Sequence, residues 1–219
     1  MGDPLISLRG IVFFYPGGRR VLDGLDFTLE QGERVGITGA NGSGKTTLLH
    51  IMVGVLKPEA GEVEIFGKTR VEEADFKEVR RRVGLLFQDP DDQLFCPTVV
   101  EDVAFGPLNL GKRGEELKGI VAEALRAVGL EGFEERAAHT LSGGEKRLAS
   151  LATVLAMEPE VLLLDEPTAG LDEDTTEKVL QILEERGVPY VIVTHDREVL
   201  RRSTDRILRL NDGKLHPVR

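Results

Sequence analysis

The sequence predicts an α/β protein in which a mainly parallel sheet is flanked by helices, with an antiparallel β region at the N-terminus and a helical subdomain inserted over roughly residues 90–157. Two observations carry this. Short β-branched runs alternate with helical stripes, as in successive βαβ units. Between two of the apolar strand runs, a mostly helical stretch interrupts the alternation. The 219 residues fit one domain, 1–219, carrying that insertion.

The elements follow in order. Leu5 to Tyr15 is apolar and β-branched, a strand that Pro16-Gly17-Gly18 ends. Leu25 to Leu29 alternates as a second strand, and Gln31-Gly32-Glu33 turns the chain into the short strand Arg34–Thr38. A glycine-rich loop then opens a helix from about Lys45 to Leu56, which Pro58 cannot continue. The next apolar run, Arg82 to Gln88, gives way to Pro- and Asp-rich turns. Apolar residues at 117, 120, 121, 124, 125 and 128 stripe a helix over 115–128, and Gly129 ends it. Another helix starts at Ser142, carries Leu148, Leu151, Ala152, Leu155 and Ala156 on one face, and stops before Pro159. Val161 to Leu164 is a buried-strand run, followed by a polar helix near 174–185 and the strand Tyr190 to Thr194. A turn at Asn211-Asp212-Gly213 closes a final hairpin. Arg80-Arg81-Arg82 is expected to be a solvated face before a strand.

Composition narrows the function. With 28 Lys and Arg against 38 Asp and Glu, the net charge is −10, a poor match for nucleic acid, whose binding rests on neutralising phosphates. The longest run without Asp, Glu, Lys or Arg, Thr46 to Leu56, is eleven residues, against about 20 for a membrane span. Met1 to Pro4 offers neither the basic nor the apolar stretch of a secretory signal. The single cysteine, Cys96, excludes an internal disulfide and a cysteine-based zinc site, and is expected to be a small hydrophobe.

Gly39-Ala40-Asn41-Gly42-Ser43-Gly44-Lys45-Thr46 is a phosphate loop (P-loop) in its proper place between strand and helix. Its glycines let successive N–H groups converge on phosphate oxygens, Lys45 reaches the outer phosphates, and Thr46 offers a hydroxyl to Mg²⁺. The motif alone means a nucleotide, and leaves kinase, GTPase and motor ATPase open. Asp165 and Glu166 end the run from Val161, so they face the ligand crevice at the carboxyl end of a strand. There Asp165 suits Mg²⁺ through water, and Glu166 can orient and deprotonate a water aimed at a γ-phosphate. His195, at the end of another strand, is placed to contact the same phosphate and water; His50, His139 and His216 carry no such expectation. Ser142-x-x-Glu145 is a capping box, but the glycines at 143 and 144 are not needed for capping and weaken a first turn. Bare amides at a helix start suit a closely pressed anion. The chain thus carries two anion-binding helix ends, and a head-to-tail pair of subunits would set each second end on the other's nucleotide.

Together these residues resemble the ATP-binding subunit of ATP-binding cassette (ABC) transporters, along nearly the whole length. The likeness is carried by Tyr15 as an adenine platform with Gly39 to Thr46 and the adjoining Thr47, by the Q-loop Gln88, and by the signature Leu141-Ser142-Gly143-Gly144-Glu145 acting in trans. Asp165 with Glu166, the D-loop at Ala169 to Asp172 and the switch His195 complete it. The resemblance implies a P-loop NTPase core, ATP with Mg²⁺ held by Thr46, Gln88 and Asp165, and hydrolysis between two head-to-tail subunits, the second the same or a related chain. Phe87 to Phe95 and Glu101 to Pro107 are further similar to the ATPases of energy-coupling factor importers, which take up vitamins or transition-metal ions such as cobalt and nickel. That implies a peripheral subunit at the cytoplasmic face of the membrane. Asp89, Asp91, Asp92 and Gln93 would there meet arginines of an integral membrane subunit. The alternative, a soluble ABC ATPase acting on nucleic acid or ribosomes, lacks the tandem cassettes, coiled coils or basic faces expected of it.

Overall fold

A computed structural model of the chain describes residues 3–218. Two sheets organise it. In the first, β1 (Ile6–Tyr15) pairs antiparallel with β2 (Arg19–Leu29) and β4 (Ala60–Ile65), and β5 (Lys68–Thr69) adds to β4. The second comprises β3 (Arg34–Thr38), β6 (Val83–Leu86), β7 (Val161–Asp165), β8 (Tyr190–Val193), β9 (Arg206–Asn211) and β10 (Lys214–Pro217). Its order is β10-β9-β3-β8-β7-β6, parallel except for the antiparallel β9–β10 edge.

The central strands are buried on both faces, which is why they read as unbroken apolar runs. Side chains alternate across a strand, so Val161, Leu163, Val191 and Val193 enter one core with α1 (Lys45–Met52) and the antiparallel sheet. Leu162, Leu164 and Ile192 enter a second core with α3 (Val99–Asn109), α4 (Gly114–Val128) and α5 (Gly143–Leu155). The layer is completed by α6 (Glu173–Arg186) and α7 (Arg197–Ser203). Gly129 adopts φ 68° as the left-handed residue that ends α4.

Several elements differ from expectation, each for a physical reason. The second strand starts at Arg19, because Pro16–Gly18 makes a hairpin that pairs Tyr15 with Arg19. The first helix stops at Met52, and the ring of Phe76 then lies where a Cβ on Gly54 would stand. That ring belongs to α2 (Glu73–Arg82), which has only Phe76 and Val79 to bury and so leaves little apolar signal. The three arginines stand directly before β6, Arg81 exposed and Arg80 and Arg82 partly so. They form the last turn of α2, where cations oppose the negative helix end. Arg82 also pairs with Glu160 at 2.7 Å and lies 3.6 Å over the ring of Phe66.

Candidate active site

The loop 39–46 joins β3 to α1 as the spacing requires. Gly44 caps α1 with φ 108°, and a Cβ there would stand 2.5 Å from Val21 Cγ1, so only glycine fits. No side chain occupies the cap, which leaves the first amides of α1 open to a ligand. Lys45 Nζ donates to the carbonyls of Gly39 and Ala40, each at 3.0 Å. Arg19, from β2, donates to the Gly42 carbonyl at 3.0 Å and lines the cleft with Asn41, Gly42, Gly44 and Lys45. Ser43 Oγ is buried without a hydrogen-bond partner among the described residues. Thr47 is buried, and its hydroxyl meets the Tyr15 hydroxyl at 3.0 Å. That contact and an edge-on Phe13 ring 5.1 Å away hold the half-exposed Tyr15 ring at the mouth of the cleft.

Asp165 ends β7 on the floor of the same cleft, and Thr46 Oγ1 donates to its Oδ2 at 2.5 Å. Burial raises the Asp165 pKa and the Glu166 charge adds to that, with the Thr46 bond opposing. A buried carboxylate held in its less favourable state, beside a hydroxyl and with Gln88 on the same wall, suits a hard cation. Among the described residues no cluster of three His, Cys, Asp or Glu could cage a metal alone. The donor set therefore fits Mg²⁺, which takes few protein oxygens and completes its shell with water and phosphate.

Glu166 departs from β7 in the left-handed region, φ 49°, where a non-glycine residue carries strain of order 1 kcal/mol. Its amide donates to Val193 O at 2.8 Å, which ties the turn to β8. The turn brings its carboxylate oxygens to 3.1 and 3.2 Å from His195 Nδ1, just beyond β8. His195 keeps 77% of its side chain exposed, so this pair reaches from the cleft floor to its open side.

The remaining candidates lie elsewhere. Ser142 is the exposed N-cap of α5: its Oγ accepts from Glu145 N at 3.2 Å, and Glu145 Oε2 accepts from Ser142 N at 2.7 Å. Leu141 is buried beneath it, while around Gly143 a Cβ would meet nothing within 4 Å. None of 141–145 lines the cleft. Asp172 caps α6, its Oδ1 accepting from Thr175 N at 2.7 Å. The acidic turn after β6 is partly spent: Asp89 accepts from the Asp91 amide, and Asp91 Oδ1 accepts from Lys146 Nζ at 2.6 Å. Gln93 points inward, its Oε1 accepting from Phe87 N at 3.1 Å and its Nε2 donating to Ser150 O at 3.0 Å and Thr153 Oγ1 at 2.7 Å.

Sequence reasoning missed Arg19 and Arg147. Arg147 is buried on α5, and its guanidinium donates to the carbonyls of Phe87 at 3.0 Å and Gln88 at 2.7 Å. A basic residue two positions past the signature glutamate, on the apolar side of its helix, was the available signal. Nothing local marked Arg19, because its role depends on the β1–β2 hairpin.

Comparison with known proteins agrees with this geometry. The sequence matches the ABC transporter family over residues 22–169. The energy-coupling factor transporter ATP-binding protein EcfA of Methanothermobacter thermautotrophicus is 47% identical over 216 residues, covering 96% of this chain and 69% of EcfA. The structure of cbiO1 from Clostridium perfringens, part of the ABC transporter complex cbiONQ, superposes with a TM-score of 0.86 at 34% identity, over 98% of this chain and 88% of that one. A dimeric post-hydrolysis state of the ATP-binding cassette MJ0796, bound to ADP and Pi, gives 0.88 at 33% identity over 98% of each chain.

Proposed function

This chain belongs to the ABC transporter family, and from that premise we propose that it powers an importer of the energy-coupling factor type, taking up a metal ion or a vitamin through integral membrane partners. It is an ATPase that converts ATP and water to ADP and phosphate. The reading rests on one observation above all: Lys45, Thr46, Asp165 and Glu166 converge on one cleft, with His195 on Glu166.

In this mechanism the adenine stacks on Tyr15, a contact worth about 1–3 kcal/mol in comparable base–aromatic pairs. Lys45 leaves the Gly39 and Ala40 carbonyls for the outer phosphates, and the amides from Gly42 to Thr46 take the rest. Thr46, Asp165 and Gln88 would hold Mg²⁺, which would supply neutralisation of the charge developing on the phosphates. Glu166 accepts a proton from water as the water oxygen bonds to the γ-phosphorus and the bond to the leaving ADP oxygen breaks. His195 holds the Glu166 carboxylate in place and faces the transferred phosphate. Leu141 to Glu145 and Asp172 act from a second subunit, of this or a related chain, arranged head to tail. The MJ0796 cassette with ADP and Pi is dimeric, which supports a paired arrangement here.

The EcfA likeness supports the importer type. Asp89, Asp91 and Asp92 present negative charge for arginines of the membrane subunit, and Gln93 braces that turn from within. Beside them Phe95 and Phe105, 64% and 48% exposed and packed edge to face at 4.9 Å, offer an apolar contact. The protein then works at the cytoplasmic face of the membrane without crossing it, and binds no nucleic acid. Affinity purification of the tagged chain from detergent-solubilised membranes, with mass spectrometry, tests this. The expected result is a polytopic membrane protein, lost when Asp91 and Asp92 are reversed to lysine; recovery of soluble partners alone would overturn the importer assignment.

A further inference from the structure

Among the described residues Arg147 has no carboxylate within ion-pairing distance, although burial leaves it only 7% exposed. Its nearest acids, Asp89, Asp165 and Glu166, act on it only through space, and burial holds its pKa below the usual arginine value. A cation is costly to bury in this way, and apolar side chains fill most of the rest of that helix face. What it obtains is specific: two parallel donations, to Phe87 O at 3.0 Å and Gln88 O at 2.7 Å. Gln93 ties the same strand end from the other direction, joining Phe87 N to Ser150 and Thr153 of α5. Half-buried Lys146 and exposed Asp91 add a third link. The backbone that presents Gln88 to the cleft is therefore strapped to α5, the helix whose first turn is Ser142 to Glu145.

We propose that Arg147 is a positioning residue that fixes where Gln88 stands in the cleft and makes that position follow the first turn of α5. The proposal rests on the ATPase reading above, since it needs Gln88 beside the Mg²⁺ and a phosphate of the partner subunit's nucleotide at Ser142. A displacement of α5 on engaging that phosphate would be carried by a rigid fork to the carbonyl of Gln88, which itself lines the cleft. A planar guanidinium serves two adjacent carbonyls at once, which lysine cannot do with the same direction.

The test measures ATPase of the purified full chain across a Mg²⁺ titration, beside binding of a fluorescent ATP analogue in EDTA. R147M is expected to bind the analogue as wild type does. It should need several-fold more Mg²⁺ for half-maximal rate and lose about tenfold in kcat, the scale of one hydrogen bond from a charged group. R147K, which keeps the charge and one donor, should recover part of both losses, and it replaces R147M if that variant does not fold. A uniform fall in kcat with an unchanged Mg²⁺ dependence in the folded variant would overturn the positioning role and leave a merely structural arginine. Wild type that neither binds the analogue nor hydrolyses ATP would instead sink the ATPase reading on which the role depends.

Discussion

The starts of α1 and α5 are both glycine-flanked helix ends suited to an anion, yet they are built in opposite ways. At α1 the cap carries no side chain, and tertiary contacts do the shaping: Val21 crowds Gly44, Arg19 holds Gly42, and Asp165 holds Thr46. At α5 the cap is local, Ser142 and Glu145 satisfying each other, and nothing crowds Gly143. The first end is complete within one chain. On the proposed head-to-tail reading the second is half of a site, and its finished side is the one facing its own helix.

The largest effect should come from separating binding from turnover at the complete end. Glu166→Gln removes the proposed proton acceptor and keeps the shape, so steady-state hydrolysis should fall about 10²–10⁴-fold while ATP still binds. If the α5 end is a half-site, the trapped nucleotide should draw in a second subunit. Sedimentation of the variant at saturating ATP should then show a dimer, and a monomer at high protein concentration would leave the α5 end without its partner.

Matched glycine substitutions sharpen the contrast. Gly44→Ala forces a side chain into φ 108° and against Val21, so it should cost about 1–3 kcal/mol of stability and weaken nucleotide binding. Gly143→Ala sits in open space at a helical position. It should leave the monomer unchanged or stabilise it by up to about 1 kcal/mol, yet cut ATPase about tenfold by obstructing the amides. Thermal melts beside ATPase rates check both. A Gly143→Ala protein with full activity would make the second glycine pair a matter of local folding alone.

What the sequence disclosed follows the same division. The loop 39–46, the acids at 165–166 and the capping box are contiguous, and each is where its spacing placed it. The parallel strands were readable because both faces are buried. Hidden were features that exist only through distant partners: β4 and β5, which alternate weakly; α2, with two buried residues; and α3, which carries Pro107. Arg147 and Gln93 were invisible as a pair, because the carbonyl and amide they serve lie about 60 and 6 residues away in sequence.

The complete end should also be the more strained of the two, and pH reports it. Burial sets the folded pKa of Asp165 above its unfolded value, so the ionised carboxylate destabilises the fold. That cost is absent in acid, where both states are protonated, sets in as pH rises through the interval between the two pKa values, and is full at neutral pH. Asp165→Asn should raise the nucleotide-free melting temperature at pH 7, abolish Mg²⁺-dependent hydrolysis, and lose its advantage as pH falls through that interval. An equal melting temperature at neutral pH would mean that Thr46 already offsets the burial.

The smallest effect belongs to the link beside the α5 end. Asp91 and Lys146 meet at 2.6 Å, but Asp91 is 67% exposed, so water and salt screen the pair. Asp91→Asn should therefore change stability by less than about 1 kcal/mol in urea denaturation, and the difference should shrink further between 0.05 and 1 M salt, as screening requires. The pair still bears on the contrast between the two ends. Arg147 and Gln93 already fix the strand end to α5 through buried bonds, so removing an exposed contact should leave the Mg²⁺ dependence of hydrolysis where it was. If Asp91→Asn instead shifted that dependence as R147M is expected to, the strap would run through the surface, and the buried arginine would be one support among several.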